Sequence, residues 1–207
     1  MQVRVQMISA AVAVALAAGL SAAAVSHAQP AAAPAVSYTA DGKLVFPKDY
    51  CTWVYLSTGM DMAYVENPGM GDMHMFDNVF VDRTAYDAYQ KTGTWPDKTI
   101  FMLEVRRGES RGSINKKGNF QTARLGMEAH VKDTARFKSG WAFFGFSGEG
   151  PSQAFPQTSQ CNVCHEQHAA VDTTFVQFYP TLMPKAQEMG TLSAAYLAEE
   201  KANSAAK

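Results

Sequence analysis

The chain is poor in the features that define several common protein classes. It has only three cysteines, too few for a disulfide framework or a four-cysteine zinc site. Its formal net charge is −1, and Lys and Arg are scattered rather than gathered into a stripe, which argues against nucleic-acid binding. No internal repeat is visible. Long apolar runs are also missing, with one exception at the start. Residues Met7 to Val25 are almost all Ala, Val, Leu, Ile and Gly, and Arg4 precedes them. The run ends in Ser26-His27-Ala28, a small-x-small site for cleavage after Ala28. An uncleaved anchor is the competing reading, since about 20 apolar residues can span a bilayer. The Ala-rich run is weakly hydrophobic, however, and a tidy cleavage site follows it. Residues 1–28 are therefore expected to be a signal peptide. The mature protein is then periplasmic or secreted, with no membrane segment after cleavage.

Residues 29–40 are rich in Pro and Ala and read as a linker. Residues 41–185 are expected to form one domain, and residues 186–207 a polar, Ala-rich tail with a frayed helix and no assigned function. Five segments have strand character: Cys51–Leu56, Val79–Val81, Thr99–Arg106, Ala123–Lys132 and Gly140–Phe146. The third alternates Phe101, Leu103 and Val105 with Ile100, Met102, Glu104 and Arg106. The fourth sets Leu125, Met127, Ala129 and Val131 against Arg124, Glu128, His130 and Lys132. A helix capped by Asp82 or Thr84 and stopped by Gly93 separates the second and third strands. Another should begin near Thr158 or Ser159. The fold class is α+β: an antiparallel sheet of about five strands with a few helices against it.

Cys161-Asn162-Val163-Cys164-His165 carries the chemistry. The C-x-x-C-H spacing puts two thiols on one side of a helical turn, where they can add to the vinyl groups of one haem. The next residue, His165, reaches the iron from the same side. A thioredoxin-like pair would favour a βαβ unit, which the pattern lacks. A zinc site lacks ligands, and a plain disulfide leaves His165 unexplained. Cys51 is read either as a small buried residue on a strand or as an intermolecular disulfide partner. Among glycines, Met60, Met62, Met70, Met73 and Met75 accompany His74. Copper(I) would suit such ligands, while flexible apolar filler near a haem edge is the plainer reading.

Beyond the haem motif, His168 to Pro180 resembles the end of the cytochrome P-460 family. Upstream, Trp53-Val54-Tyr55-Leu56, Phe76 to Asp82, Lys91-Thr92-Gly93, Gly126-Met127-Glu128-Ala129, Val131-Lys132-Asp133 and Trp141-Ala142-Phe143-Phe144 resemble that family's blocks in order. The resemblance covers about Tyr50 to Pro184. It implies a homodimer with one haem c held against a sheet, His165 as proximal ligand, and a five-coordinate iron. The family includes hydroxylamine-oxidising cytochromes P-460, in which a lysine is bonded to the macrocycle. It also includes beta-type cytochromes c-prime, which lack that bond and bind nitric oxide and similar gases. The alignment puts the cross-linking position at Leu103, and no lysine lies in Ile100 to Val105. That favours the gas-binding kind with an apolar distal face.

The resemblance marks Phe76 as a cap over the iron, against the plainer reading of a core phenylalanine. It marks Glu128 as a proton relay, against that of a solvated strand face. A sixth protein ligand from His74, His130, His168 or a methionine would instead make an electron carrier. His168 lies on the helical side of His165 and cannot reach the opposite face. A redox partner cytochrome is the expected protein partner, besides nitric oxide or hydroxylamine as small ligand.

The haem is expected to need both thiols. The double change Cys161→Ala, Cys164→Ala should release all haem into acidified organic solvent. Haem that stays with the mutant polypeptide through that extraction would place the attachment elsewhere.

Overall fold

The computed structural model describes residues 34–64, 69 and 71–205. The expected signal peptide, its cleavage site and the first part of the expected linker lie outside the described residues. Five strands, β1 (Val54–Met60), β2 (His74–Val81), β3 (Ile100–Glu109), β4 (Phe120–Lys132) and β5 (Trp141–Phe146), form one antiparallel sheet in sequence order. Four helices accompany it: α1 (Arg83–Thr92), α2 (Gln160–His168), α3 (Met183–Met189) and α4 (Ala194–Ala205). The α+β class expected from period-two patterning is the architecture observed. Among the described residues, no helix is long and apolar enough to cross a membrane.

Alternation along the strands divides the sheet into two covered faces. On one, Val81, Phe101 and Trp141 pack against Ala85 and Tyr89 of α1, the loop residues Ala170, Val171 and Val176, and Leu182 and Ala186. On the other, Ile100, Met102, Met127, Ala129, Val131, Ala142 and Phe144 are sealed by Leu44, Phe46 and Tyr50. The segment before β1 therefore serves as a lid for the second face. Tyr38 pairs with Leu44, and Ala35 and Val36 pack on this core. Residues 35–40, expected as linker, thus belong to the domain.

Two local departures have clear causes. Tyr50–Thr52 form a 3₁₀ turn rather than the start of a strand, so Cys51 is exposed instead of buried. A register shift between Val105 and Arg106 pairs Arg106 with Arg124 while Val105 pairs with Gly126. Leu125 is the extra residue, and the bulge turns Arg124 to the face of Glu104. Arg124 therefore does not share a face with Glu128 and His130.

The tail is docked, not free. The Thr191 hydroxyl donates to the Gly93 carbonyl, Ser193 Oγ donates to the Ala169 carbonyl, and Glu199 of α4 pairs with His168 of α2 at 3.0 Å. The end of the chain so braces the helix that carries the cysteines.

Helix α1 shows how tightly the sequence signals and packing agree. Asp82 is 7 % exposed; its carboxylate accepts from Ala85 N at 2.9 Å and from Ile100 N, the first residue of β3, at 3.2 Å. Gly93 closes the helix in the left-handed region at φ 69°. Asp82→Ala should lower stability by about 1–3 kcal/mol, combining a lost cap with an unpartnered buried N–H. Asp82→Asn should lose less. Urea unfolding of the two variants checks this; equal stability of Asp82→Ala and wild type would refute it.

Candidate functional site

Helix α2 begins after Ser159, and Asn162 pins its first turn by donating to the Pro156 carbonyl at 3.1 Å and to Ser159 Oγ at 3.0 Å. Cys161, Cys164 and His165 are spaced i, i+3 and i+4, which puts them on one helical face. Both cysteines are half-buried free thiols. Burial raises the pKa of each, with Glu128 adding to the shift at Cys161 and Glu199 at Cys164. An activated redox pair shows the opposite, a stabilised thiolate.

The His165 ring is clasped by aromatic neighbours. Its centroid lies 4.1 Å from Phe175, 4.6 Å from Phe143 and 5.1 Å from His130. Nδ1–H donates to the Thr173 carbonyl at 2.7 Å, which leaves the Nε2 lone pair free. Burial lowers the His165 pKa, keeping the imidazole neutral and able to ligate.

Thr173 belongs to an unusual turn. Val171 and Thr174 exchange backbone hydrogen bonds of 3.2 and 2.8 Å around Asp172 (φ 48°) and Thr173 (φ 60°). Both central residues occupy the left-handed region without being glycine. Such conformations cost on the order of 1–3 kcal/mol each and persist where the surroundings enforce them. The enforcers here are side chains. Asp172 pairs with Lys132 Nζ and accepts from Trp141 Nε1 at 3.2 Å, and Trp95 Nε1 donates to Thr174 Oγ1 at 2.8 Å.

His165 opens on a cavity of about 480 Å³ between the sheet and the 174–179 segment. That size falls in the range of ligand sites, about 300–1,000 Å³. Val79, Leu103 and Glu128 are direct cross-strand neighbours in its wall. Phe101, Phe143, Phe175, Phe178 and Tyr179 supply its apolar surface, and Met62 and Tyr64 also line it. Leu103 and Glu128 thus both line the cavity.

Phe76 does not. It pairs with Met60 and Arg106 and shares the β2 face of Asn78, whose side chain meets the buried Glu104. Its neighbour Asp77 lines the cavity instead. The expected apolar distal face is corrected as well, since the wall holds two carboxylates. Burial raises the pKa of both Asp77 and Glu128. Asp61 adds to the shift at Asp77, and Asp77 to that at Glu128.

Of the other proposed ligands, Met62 lines the cavity, Met70 lies outside the described residues, and the three histidines are engaged elsewhere or stand beside His165. His74 Nδ1 is held by Asp61 at 2.6 Å, and His168 by Glu199. Neither lines the cavity. His130 does, but it stands beside His165. It stacks on Phe143 at 3.9 Å, its Nε2 is buried without a partner, and burial drives its pKa well down. Among the described residues, no cluster of three or more His, Cys, Asp or Glu could hold a metal ion unaided. A neutral imidazole with a free Nε2, two thiols on its helical face and an aromatic cavity alongside suit a flat apolar macrocycle that brings its own iron.

Asp77, Thr173 and the Asp172 anchor were not singled out by sequence reasoning. Asp77 was accessible in principle: extending β2 back to His74 puts Asp77 in phase with Val79.

An antiparallel sheet carrying an aromatic cavity, entered by a neutral histidine from a cysteine-bearing helix, defines a haem-pocket protein of the α+β class. A family model described as Cytochrome P460 matches residues 47–176, well over half of the chain. The chain belongs to the cytochrome P460 family, and its cofactor is haem. No curated protein matches it.

The raised carboxyl of Glu128 has a signed consequence. Its folded pKa lies above the ordinary carboxylate value of about 4.3, so the folded state holds more protons across that interval. Stability associated with Glu128 is therefore lost as pH rises from about 4 through the raised value. Glu128→Gln should flatten the fall in melting temperature over this interval, and an unchanged slope would contradict it.

Proposed function

We propose that the protein is an exported monohaem c-type cytochrome whose iron takes nitric oxide or a similar small neutral ligand. Cys161 and Cys164 carry the haem covalently, and His165 is its one protein ligand. When bound, the haem supplies a redox-active iron with a coordination position for a small molecule. The observation that carries this reading is the cavity wall: His165 faces a chamber with Leu103 in its sheet wall and, among the described residues, no lysine in its lining.

The chain's own residues divide the work. The Thr173 carbonyl holds the Nδ1 proton of His165 and so keeps Nε2 as the ligating nitrogen. Phe143 and Phe175 fix the ring. Val79, Phe101 and Leu103 present apolar surface that excludes water from one part of the chamber. A neutral diatomic molecule needs no hydrogen-bond partner there, whereas a polar ligand left unpaired would forfeit about 1–3 kcal/mol.

A second reading draws support from Asp77 and Glu128. Carboxyl groups with raised pKa, facing the chamber, hold a proton to higher pH than an ordinary carboxylate and can exchange it with a bound molecule. Oxidation of hydroxylamine requires such acceptors, and Glu128 is the better placed, in register with Leu103. Electrons would then leave to a redox partner cytochrome. We propose further that the protein works as a homodimer in the periplasm; light scattering that returns the mass of one mature chain would reject the dimer.

Absorption of the reduced protein decides between the two readings. An ordinary c-type band is expected, with ready binding of nitric oxide to the ferrous form and little or no hydroxylamine turnover. A strongly red-shifted band, with a tryptic haem peptide joining Cys161–His165 to a lysine-containing peptide, would move the protein to the hydroxylamine-oxidising kind. In that case Glu128→Gln should lower kcat by about 10²–10⁴-fold, the usual worth of a positioned proton acceptor.

A further inference from the structure

We propose that the Lys132–Asp172 ion pair is a positioning latch for His165, fixing the strained turn that presents the Thr173 carbonyl to Nδ1. The inference rests on the reading of His165 as the axial ligand.

Lys132 ends β4, and its side chain is mostly covered, at 17 % exposure. Its Nζ donates to the Trp95 carbonyl at 2.9 Å and to the Asp172 carboxylate, and it lies 5.5 Å from the centre of the Trp141 ring. Asp172 uses its other oxygen to accept from Trp141 Nε1 at 3.2 Å. The carboxylate is thus tied to two neighbouring strands at once, Lys132 in β4 and Trp141 in β5. Asp172 and Thr173 are the two left-handed residues of the turn. Thr173 is β-branched, and its hydroxyl is buried without a partner, so its own side chain does nothing to hold the conformation. Trp95 anchors only Thr174, one residue beyond. The Val171–Thr174 backbone pair and the Thr174 hydroxyl, which donates to the Val171 carbonyl at 2.6 Å, close the turn on itself. Asp172 is what ties its 172–173 half to the sheet, and the Thr173 carbonyl can shift relative to His165 once the cation is gone.

A carbonyl accepting from Nδ1–H gives the imidazole partial anionic character, which strengthens its donation to an oxidised metal. Lys132, which is not among the residues lining the cavity, therefore tunes the iron through the sheet. Loss of the latch should favour the reduced state.

The test uses haem-loaded protein. Lys132→Met keeps the apolar stem and removes the charge; Lys132→Arg restores it. Two quantities are measured: the iron–histidine stretching band of the ferrous protein by resonance Raman, and the ferrous-to-ferric ratio at a fixed ambient potential. In Lys132→Met the band should move to lower frequency. The ratio should rise about tenfold, the lower end of effects produced by partners of metal ligands. Lys132→Arg should return both most of the way. A latch that serves stability alone would change the melting temperature and leave band and ratio at wild-type values, and that result overturns the proposal. If Lys132→Met does not fold, Asp172→Asn, which keeps an oxygen for Trp141, is measured in the same way. A wild-type protein without an iron–histidine band overturns the reading of His165 and the latch with it. A wild-type band with unchanged variants overturns the latch alone.

Discussion

The hydrogen bond from His165 Nδ1 to the Thr173 carbonyl sets what the cavity can do. Without it the imidazole can place its proton on either nitrogen, and Nε2 is no longer reserved as the free lone pair facing the cavity. Its strength depends on a carbonyl that a relaxed turn would not offer. Two consecutive left-handed residues, neither of them glycine, aim the carbonyl, and Lys132, Trp95 and Trp141 hold the turn from the strand side. The sheet therefore reaches the site twice: once as the cavity wall, and once as the anchor of the loop that orients the ligand.

That double use explains why both faces of the sheet are covered. A cavity wall keeps its shape only if the strands behind it do not slide. Ile100, Met102, Ala129 and Val131 are packed under Leu44, Phe46 and Tyr50, so β3 and β4 are locked from behind. On the same hidden face, Glu104 accepts from Tyr50 at 2.8 Å and pairs with Arg106 at 2.6 Å. These contacts draw its pKa down against the cost of burial, so it stays ionised. The contrast with Glu128, in the next strand and on the other face, is instructive. Glu104 has been given a cation and donors, and Glu128 has not.

The legible parts of this molecule were those in which local chemistry leaves little choice. The C-x-x-C-H spacing puts Cys161, Cys164 and His165 on one face of a helical turn whatever lies around it, and Asp82 with Gly93 dictates where α1 starts and stops. Period two in Ile100–Arg106 was readable because both faces turned out buried among unlike neighbours. Face assignment failed wherever it depended on pairing between distant segments. Phe76 and Asp77 differ by one residue, and a strand of that length gives no local hint of which one looks into the cavity. Arg124 was lost to a bulge whose extra residue, Leu125, is half-exposed and carries no turn signal. Cys51 sits in good strand-forming company, yet the backbone bonds Thr52 N to Asp49 O and Trp53 N to Tyr50 O close a 3₁₀ turn there. The docked tail was illegible for a related reason, because its anchors, two hydrogen bonds to backbone carbonyls and the Glu199–His168 pair, join segments distant in sequence.

Among the described residues, two carboxylates face one chamber whose lining holds no lysine or arginine, and this poses an electrostatic problem. Both imidazoles of the wall are pushed toward neutrality by burial, so neither offers a compensating charge. Burial first, and then the like charge of Asp77, raise the Glu128 pKa, so its proton is held to higher pH than on an ordinary carboxylate. A protonated carboxyl is a donor as well as a reservoir. It can offer a hydrogen to a bound molecule that accepts one, and take a hydrogen from a molecule that gives one up. The wall that Asp77 and Glu128 share with Leu103 and Phe101 thus joins proton-exchanging groups to apolar surface in one chamber, on the sheet face opposite the one that keeps Glu104 ionised.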